Sequence, residues 1–365
     1  MTKARYIMIG GFLGAGKTTA ILRFAQHLTA QGRRVGLITN DQSMDLVDTS
    51  RARAAGYDVE EITGGCFCCK FDSLVTASKQ LTEANKPDVL LAEPVGSCTD
   101  LKATVSYPLQ QLYGEQYEVA PLTVLVDPKR AAAILGLTQG KQFSEKVIYV
   151  YRKQLEEAEV IVINKLDLLG AGEREQLAGA LKRVFPKARV MQISATAGDG
   201  LEEWFNVLMT GSLTNSPTMS VDYDEYAEGE ALLGWVNIKG SLSAVKEFDG
   251  NATIHDIANR LKRGLLEKDI PIAHLKMTLS PTQGTDIASL SLTRSDEAPQ
   301  ATHRLAAPLC DGELMVNLRA EADPKLLEEL VLGELAFLSA IRFLMINTAA
   351  FRPGRPTPTH RVQVT

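Results

Sequence analysis

One stretch near the start of the chain restricts its possible folds more than any other: GFLGAGKTT, residues 11–19. The four fixed residues of the pattern G-x-x-x-x-G-K-[ST] are all present: Gly11, Gly16, Lys17 and Thr18. An apolar run, YIMIG at 6–10, precedes the stretch and a helical pattern follows it, which is the context typical of a phosphate-binding loop. The alternative interpretation is a chance glycine-rich turn before a helix.

The phosphate loop has a direct physical basis. Glycines allow backbone N–H groups to curl around phosphates, and the N-terminus of the following helix adds partial positive charge. Lys17 is placed to reach the β- and γ-phosphates, and the Thr18 hydroxyl is placed to ligate Mg²⁺. The residues predicted to bind nucleotide here are Gly11, Gly14, Ala15, Gly16, Lys17, Thr18 and Thr19.

The first two hundred residues alternate short apolar runs with helical stretches. The runs predict strands at 6–10, 34–39, 88–93, 122–127, 160–165 and 188–194. Their uniformly apolar character is typical of strands that are buried on both faces. The segments between them predict helices, including 17–31, 72–85, 171–184 and 200–209. This alternation predicts an α/β fold with a doubly wound, mostly parallel sheet.

The sequence changes character after residue 211. A chain of 365 residues is long enough for roughly two domains of about 150 residues. The stretch 212–230 is polar, acidic and without periodicity, and it predicts a linker. We therefore expect a nucleotide-binding domain over 1–211 and a smaller domain over 231–350. A Pro-rich tail, 351–365, follows.

The smaller domain mixes strands and helices in an order that differs from the first. Strands are predicted at 231–242, 274–279, 286–293, 313–320 and 343–347. One helix is expected over 253–267, with Asn251 or Thr253 as its cap. Another is expected to open at Asp323-Pro324, with Asp as the cap and Pro in the first turn. The pattern predicts an α+β domain, ferredoxin-like with one extra strand.

Composition excludes several classes of partner and location. The net charge is −5 and the pI is about 5.7, which gives no basis for bulk attraction to nucleic acid or to anionic lipid. The apolar runs are too short to span a bilayer, and the N-terminus lacks the layout of a signal peptide. The chain is expected to be cytoplasmic, with neither nucleic acid nor a membrane as its partner.

The tetrapeptide NKLD, residues 164–167, predicts selection of guanine. Asp167 can accept hydrogen bonds from guanine N1–H and N2–H₂, which adenine does not offer in that arrangement. A carboxylate left buried and unpaired is costly, so discrimination is strong. The Lys165 stem can lie along the base plane, and Ser194-Ala195 can close over the base edge. The residues predicted to hold the base of GTP or GDP are Asn164, Lys165, Asp167, Ser194 and Ala195.

Two predicted strand ends supply groups for Mg²⁺ and for the attacking water. Glu93 can hold Mg²⁺ through a water or orient the attacking water, and the Gly96 N–H can sense the γ-phosphate. Asp41, Asp45 and Asp48 follow the second strand, and Asp41 lies nearest to its end. The alternative for each acid is a solvated side chain. The predicted catalytic residues are Lys17, Thr18, Glu93 and Asp41, with Thr18 and Glu93 as the Mg²⁺ ligands.

Three of the five cysteines fall within four residues: Cys66, Cys68 and Cys69. Thiolates are soft ligands suited to Zn²⁺, Cu⁺ or Co²⁺, and the two preceding glycines allow the backbone to turn. A fourth ligand would be a water, a carboxylate, a partner's group or Cys98, and an incomplete shell suits transfer. Two alternatives remain. One is a redox pair, although adjacent cysteines make a strained bridge, and the other is small side chains packed under a loop.

These motifs occur in one order over about 200 residues, and in this the chain resembles the CobW-like family of P-loop GTPases. That group includes the nickel chaperones for urease and hydrogenase. The specific feature is C-x-C-C, residues 66–69, after the second strand. The resemblance implies a GTP-hydrolysing metallochaperone or metal-cofactor insertase. It also implies Mg²⁺ and a transition metal of the zinc or cobalt class, Zn²⁺ or Co²⁺. The implied partner is a client metalloenzyme or cofactor-dependent enzyme.

Two other functions remain open. One is a GTP-operated switch or gate for a corrinoid enzyme, in which zinc at the cysteines is only structural. The other is a P-loop kinase that phosphorylates a small molecule, against which NKLD argues. Unassisted GTP hydrolysis is expected to be slow, because the loop motifs contain no obvious arginine finger. A client, or a second copy of the chain in a homodimer, would then supply the missing group.

Overall fold

The computed structural model describes residues 3–40, 52, 55–139 and 143–364. The chain forms two compact units. The first unit contains the described residues up to 40, residues 55–227 and residues 355–364, and the second is built mainly from residues 228–354. The chain therefore leaves the first unit near Ala227 and returns to it near Arg355.

The first unit is built on a parallel sheet. Its strands are β1 (Ala4–Gly11), β2 (Val35–Asn40), β3 (Asp58–Ile62), β4 (Val89–Glu93), β5 (Tyr117–Val119), β6 (Thr123–Val126), β7 (Val160–Ile163) and β8 (Arg189–Gln192). The order is β3-β2-β4-β1-β6-β7-β8, with β5 beside β1, and every pairing is parallel. The predicted doubly wound α/β fold is confirmed.

Helices lie between these strands and after the last of them. They are α1 (Lys17–Ala30), α2 (Phe71–Asn85), α3 (Tyr107–Tyr113), α4 (Pro128–Ile134), α5 (Glu145–Glu157), α6 (Ala171–Val184), α7 (Leu201–Thr210) and α8 (Tyr223–Ala231). A π-helical segment, Lys102–Ser106, leads into α3, and a 3-10 turn, Leu166–Leu168, follows β7. Helix α8 lies within the segment whose polar sequence predicts a linker.

The central strands explain the stability of this unit. Every residue of β4 and of β7 is buried, and both strands are dominated by Val, Leu and Ile. Burying such a side chain contributes about 1.5–3 kcal/mol. Because the strands are parallel, their carboxyl ends lie at one edge of the sheet, where ligands bind in folds of this kind. That edge carries the predicted site residues.

Within residues 228–354, the second unit is an antiparallel sheet packed against helices. Its strands are β9 (Gly234–Phe248), β10 (Ile272–Pro281), β11 (Ala288–Leu292), β12 (Gln300–His303), β13 (Leu309–Ala320) and β14 (Arg342–Phe351), in the order β12-β11-β10-β13-β9-β14. The helices are α9 (Gly250–Glu267) and α10 (Pro324–Ala336), and both contribute to one apolar core with the sheet. The predicted α+β character of this region is confirmed.

The caps of these two helices differ from the sequence expectation in one case. Asp323 caps α10 as predicted, because its side chain accepts a hydrogen bond from the Lys325 N–H. The prediction of Asn251 or Thr253 as the cap of α9 was wrong. Asp249 caps that helix by accepting from the Ala252 N–H at 3.0 Å. Asn251 instead exchanges hydrogen bonds with the backbone of a distant loop residue, Leu305.

The last described residues, Arg355–Val364, belong to the first unit and are called the returning segment below. The sequence predicts only a Pro-rich tail there, 351–365. Across the described part of the chain, no helix combines the length and the apolar character that crossing a membrane requires.

Candidate functional site

The phosphate loop joins β1 to α1, and its conformation requires glycine. Gly11 has φ of 132°, and a Cβ there would lie 2.3 Å from the Leu125 carbonyl oxygen. Gly16 has φ of 87°, and a Cβ there would lie 2.4 Å from Asn164 Nδ2. Both positions combine a left-handed backbone with a close neighbour, so larger residues are excluded. Gly14 also has a positive φ, 82°.

Lys17, Thr18 and Glu93 lie together at the end of this loop. Lys17 Nζ donates to the Gly11 carbonyl at 2.9 Å, and Thr18 Oγ1 donates to Glu93 Oε1 at 3.0 Å. Glu93 is 8% exposed, so it is a buried carboxylate rather than a solvated strand end. A hydroxyl and a carboxylate in contact form the hard-oxygen pair that Mg²⁺ prefers.

The loop after β4 packs against the phosphate loop at Gly96. A Cβ on Gly96 would approach the Leu13 side chain to 2.7 Å and the Leu13 nitrogen to 3.1 Å. The side chain of Gln154, on helix α5, donates hydrogen bonds to the carbonyls of Gly96 at 2.9 Å and of Cys98 at 2.8 Å. Asp41, the other predicted catalytic acid, lies outside the described residues, as do Asp45 and Asp48.

Asn164 connects the phosphate loop with the loop after β8. The predicted base-binding residues, called the base-binding end below, are Asn164, Lys165, Asp167, Ser194 and Ala195. Its Nδ2 donates to the Ala15 carbonyl at 2.9 Å, and its Oδ1 accepts from the Ala195 N–H at 3.0 Å. The side chain is buried and has both polar atoms engaged with the main chain. Asn164 therefore acts as a brace between the phosphate loop and the loop after β8.

Asp167 and Lys165 are each oriented by a neighbour. Ser194 Oγ donates to Asp167 Oδ1 at 2.6 Å, while the Asp167 side chain remains exposed and able to accept from a base. Lys165 Nζ pairs with Asp127 Oδ2 at 2.8 Å. Burial raises the pKa of Asp127, but the charges of Lys165 and Arg130 outweigh it and lower that pKa below its usual value. Asp127 is therefore held as a carboxylate.

Arg130 is a site residue that sequence reasoning missed. Its guanidinium is buried, donates to the Leu13 carbonyl, and lies 5.3 Å from the centre of the Phe12 ring and 5.2 Å from that of Phe143. The sequence does contain one local signal here. Asp127 directly follows strand β6 and caps helix α4 by accepting a hydrogen bond from the Arg130 N–H. Nothing local, however, indicates that Arg130 reaches the phosphate loop.

The three cysteines of the C-x-C-C motif converge. The Sγ–Sγ distances are 2.8 Å for Cys66–Cys68, 3.2 Å for Cys66–Cys69 and 3.7 Å for Cys68–Cys69. In the described part of the chain, these are the metal-ligating side chains that cluster within 4.8 Å of one another. Zinc with Zn–S bonds of about 2.3 Å places its sulfurs roughly 3.8 Å apart in a tetrahedron. The sulfurs are therefore close to the positions that such an ion requires.

The cluster distributes its protons unevenly. Hydrogen bonds from Cys68 and Cys69, and then from Cys98, hold the pKa of Cys66 well below its usual value. Donation to Cys66 raises the pKa of Cys68 well above its usual value, and donation to Cys66 also raises the pKa of Cys69 to about 11. One thiolate is thus stabilised by its protonated neighbours. Cys66 and Cys68 are buried, and Cys69 is half-buried.

Asn40, at the end of β2, braces the cysteine loop and was also missed. Its Nδ2 donates to the Ile62 carbonyl at 3.0 Å and to the Gly65 carbonyl at 2.7 Å, and its Oδ1 accepts from the Phe67 N–H at 2.9 Å. Gly64 and Gly65 have φ of 74° and 154°, so the expected backbone turn does occur at these glycines.

Cys98 lies beside the cluster, on the same loop as Gly96. It is 1% exposed, and its side chain is hydrogen-bonded to that of Cys66. The fifth cysteine, Cys310, is exposed and belongs to the second unit. The structure thus brings Cys98, but not Cys310, to the cysteine motif.

The fold and the site together define a class of protein. A parallel sheet with a phosphate loop, a Thr–Glu pair and an NKLD turn at one edge is a P-loop GTPase fold. The family model described as the CobW/HypB/UreG nucleotide-binding domain matches residues 5–192. The chain belongs to the CobW/HypB/UreG family, as the resemblance of its motifs predicts.

Individual relatives match a little under half of the chain. The chain is 30% identical over 183 residues to "Zinc chaperone CobW" of Sinorhizobium sp, covering 45% of this chain and 51% of that protein. It is 29% identical over 161 residues to "Zinc chaperone YeiR" of Escherichia coli K12, covering 44% and 46%. The chain thus spans about half the length of these curated relatives.

Among solved structures, the Zn(II)-bound YjiA GTPase from E. coli matches along most of the chain. The identity is 17% and the TM-score is 0.40, with 91% of this chain and 99% of that chain covered.

Proposed function

We propose that this protein is a GTPase that couples GTP binding and hydrolysis to the transfer of a transition metal of the zinc or cobalt class. The observation that carries the proposal is the convergence of Cys66, Cys68 and Cys69, with sulfurs 2.8–3.7 Å apart, at the sheet edge that holds the phosphate loop. The metal is the cargo, and a client metalloenzyme or cofactor-dependent enzyme receives it.

Lys17, Thr18 and Glu93 carry the phosphate chemistry in this proposal. Lys17, which now donates to the Gly11 carbonyl, exchanges that partner for β- and γ-phosphate oxygens. Thr18 would hold Mg²⁺ directly and Glu93 through a water, as their 3.0 Å contact allows. Bound Mg²⁺ neutralises charge on the phosphates.

The base-binding end would select guanine. Asp167 is exposed while Ser194 fixes one of its oxygens, so the carboxylate is oriented before a ligand arrives. The Lys165 stem lies beside the phosphate loop, since a Cβ on Gly16 would lie 3.9 Å from its Cε. Asp127 holds the Lys165 ammonium at 2.8 Å, which keeps the stem extended beneath the base.

The cysteine cluster fits a soft divalent ion. Opening the Cys66–Cys68 distance, 2.8 Å, by about 1 Å and the Cys66–Cys69 distance, 3.2 Å, by about 0.6 Å would seat a tetrahedral zinc ion. Because Cys68 and Cys69 hold their protons, metal binding must release protons and should weaken as the pH falls. Three thiolates leave a place for Cys98, water or a client's ligand.

The loop after β4 supports coupling between nucleotide and metal. Gly96 contacts the phosphate loop, and Cys98, two residues later, is hydrogen-bonded to Cys66. Any shift of this loop on γ-phosphate binding is therefore transmitted to the cluster. Order–disorder and loop shifts of this kind operate the switches of other GTPases.

Hydrolysis without a partner is expected to be slow. Arg130 is buried and donates a hydrogen bond to the Leu13 carbonyl, so it stabilises the backbone of the phosphate loop. A client, or a second copy of this chain in a homodimer, would supply a group that stabilises the transition state. The relatives named zinc chaperones support the metal-delivery role, and we expect that role to be exercised in the cytoplasm.

The test is metal binding as a function of nucleotide. Zn²⁺ and Co²⁺ affinities are measured for protein without nucleotide, with GDP·Mg²⁺ and with GTP·Mg²⁺. The variant Cys66→Ser/Cys68→Ser/Cys69→Ser removes the cluster, and Cys310→Ser is the matched control because that thiol is exposed in the second unit. We expect affinity that depends on the nucleotide, is lost in the triple variant and persists in the control.

Other outcomes would favour the other functions. If zinc binds equally tightly in every nucleotide state and the triple variant hydrolyses GTP normally, the metal is structural and a switch or corrinoid gate becomes the better interpretation. A phosphorylated small molecule among the products would indicate a kinase instead.

A further inference from the structure

The returning segment, Arg355–Val364, lies across the cysteine motif. The Thr357 N–H donates to Cys69 Sγ at 3.1 Å, and the Thr359 N–H donates to the Cys68 carbonyl at 2.9 Å. The ring of His360 meets that of Phe71, two residues after the motif, edge to face with centroids 4.9 Å apart. Residues nearly 300 positions apart in the chain therefore share one site.

The sequence of this segment limits the hydrogen bonds it can make. It reads R-P-T-P-T over 355–359, and proline has no N–H. Within the four residues 356–359, Thr357 and Thr359 alone carry backbone donors, and both donate to the cysteine motif. The alternation of Pro and Thr thus directs both backbone N–H donors of this stretch to the cysteine motif.

An ion pair fastens the segment to the loop that adjoins the phosphate site. Arg361 Nε donates to Asp100 Oδ2 at 2.7 Å, and the Tyr223 hydroxyl donates to the same oxygen at 2.6 Å. Asp100 is 1% exposed and has φ of 62°, a left-handed conformation that is uncommon outside glycine. It lies two residues after Cys98 and four after Gly96.

We propose that the returning segment is a strap that positions Cys69 and controls exchange of the metal, with the Arg361–Asp100 pair as its latch. The inference rests on the proposed function, because the metal is the cargo, and it adds the element that retains it. The Thr357 N–H donates to Cys69 Sγ and would support the negative charge that this sulfur carries once a metal has displaced its proton. The latch ties the strap to the loop that contacts the phosphate loop.

Cys69 is the sulfur where exchange would begin. Cys66 and Cys68 are 5% and 1% exposed, whereas Cys69 is half-buried and lies under the strap. An incoming thiol or imidazole of a client would displace Cys69 first, since the other two sulfurs are inaccessible. The strap covers that sulfur and is fastened mainly by single polar contacts, so opening it leaves the core intact.

The test measures zinc transfer from the full-length, Zn²⁺-loaded protein to a chromophoric chelator. Thr357→Pro removes the N–H donor, while Thr357→Ala keeps it and is the matched control. We expect Thr357→Pro to accelerate transfer about tenfold and Thr357→Ala to change it by less than about twofold, as expected for one hydrogen bond to a charged group. Arg361→Gln, which opens the latch, should also accelerate transfer.

A second measurement uses metal-free protein. The rate at which a disulfide reagent modifies the cysteines should rise in Thr357→Pro and Arg361→Gln but not in Thr357→Ala. Thermal unfolding shows whether a variant is folded, and if Thr357→Pro is not, Arg361→Gln carries the test by itself.

The outcomes separate the strap from the proposed function. If wild-type protein binds zinc in a nucleotide-dependent way but both strap variants transfer it at the wild-type rate, the strap is wrong and the proposed function stands. If wild-type protein binds no zinc, both the strap and the proposed function are wrong. If the strap variants transfer zinc faster, but equally fast with GDP and with GTP, the strap does cover the metal. The proposed link between the latch and the phosphate site is then wrong.

Discussion

The base-binding end and the cysteine end of the first unit lie at the same sheet edge but are held in different ways. At the base-binding end, polar side chains are fixed by other groups: Asn164 by two main-chain partners and Lys165 by Asp127. At the cysteine end, the ligand atoms hydrogen-bond to one another. The polar side chains at the base-binding end are therefore oriented before a ligand arrives. The thiols at the cysteine end keep their hydrogen bonds to one another until a metal replaces these contacts.

The supports beneath the two ends are nevertheless alike. Asn40 ends β2 and Asn164 follows β7, and each uses both ends of its amide to join loops. A buried amide with main-chain partners is costly to remove, since the partners lose their hydrogen bonds. The contrast between the two ends therefore lies in the ligand groups and not in the scaffold.

The largest effect is expected for a substitution at the base-binding end. Asp167→Ala should weaken GTP binding by about a thousandfold, because a site built to hydrogen-bond a substrate group discriminates strongly when that bond is lost. ATP binding should change little, and zinc affinity should not change. Titration with fluorescent GTP and ATP analogues measures both nucleotides. Similar losses for the two would mean that Asp167 does not contact the guanine edge.

A paired substitution sharpens the comparison. Asn40→Ala should lower zinc affinity about tenfold and leave GTP affinity within about twofold, because it releases the cysteine loop. Asn164→Ala should do the reverse. Calorimetric titration of each variant with Zn²⁺ and with GTP·Mg²⁺ gives all four values. If both variants lose both ligands equally, the two ends are one cooperative unit.

The smallest effect is expected for a substitution of Glu157. Glu157 is buried beneath the loop after β4, where it accepts from the Lys102 N–H at 2.9 Å and from Thr99 Oγ1 at 3.3 Å. Burial raises its pKa well above the usual value of 4.5. Below pH 4.5 the proton is bound in both states. As the pH rises, the unfolded chain loses it first, so stability falls until the folded pKa is reached.

Glu157→Gln should remove this pH dependence. Between the unfolded and the folded pKa, the free energy of unfolding of wild-type protein should decline with pH more steeply than that of the variant, by at most about 1.4 kcal/mol per pH unit. Urea unfolding between pH 5 and 7 measures the difference. Glu156→Gln, at an exposed neighbouring position, is the control. Parallel pH profiles for wild type and Glu157→Gln would show that the carboxyl is ionised in the folded state.

Local sequence signals predicted much of the first unit. Helix α6 has the bounds that periodicity predicts, 171–184, and α1 begins at the Lys17 of the phosphate-loop motif. These elements are encoded by neighbouring residues, namely apolar spacing and a fixed pattern of glycines. Strand β3, Asp58–Ile62, was missed because its sequence, DVEEI, carries three acids and is only partly buried.

The supports of the site could not be predicted in the same way. Asn40 and Arg130 act through partners that are distant in sequence, such as Gly65 for Asn40 and Leu13 for Arg130. The Thr357–Cys69 contact spans 288 positions. A single sequence shows which side chains can donate or accept, but not which loops the fold brings together. The side chains proposed to bind metal or nucleotide could therefore be chosen from the sequence, whereas the groups that position them could not.

The span between Cys69 and Thr357 also sets an order of events during synthesis. A ribosome that adds about 5–20 residues per second makes the cysteine motif roughly 15–60 s before the segment that covers it. Throughout that interval the thiols have no cover from the returning segment. Under the strap proposal, each new molecule therefore passes once through an open state, before translation supplies the segment that would retain a metal.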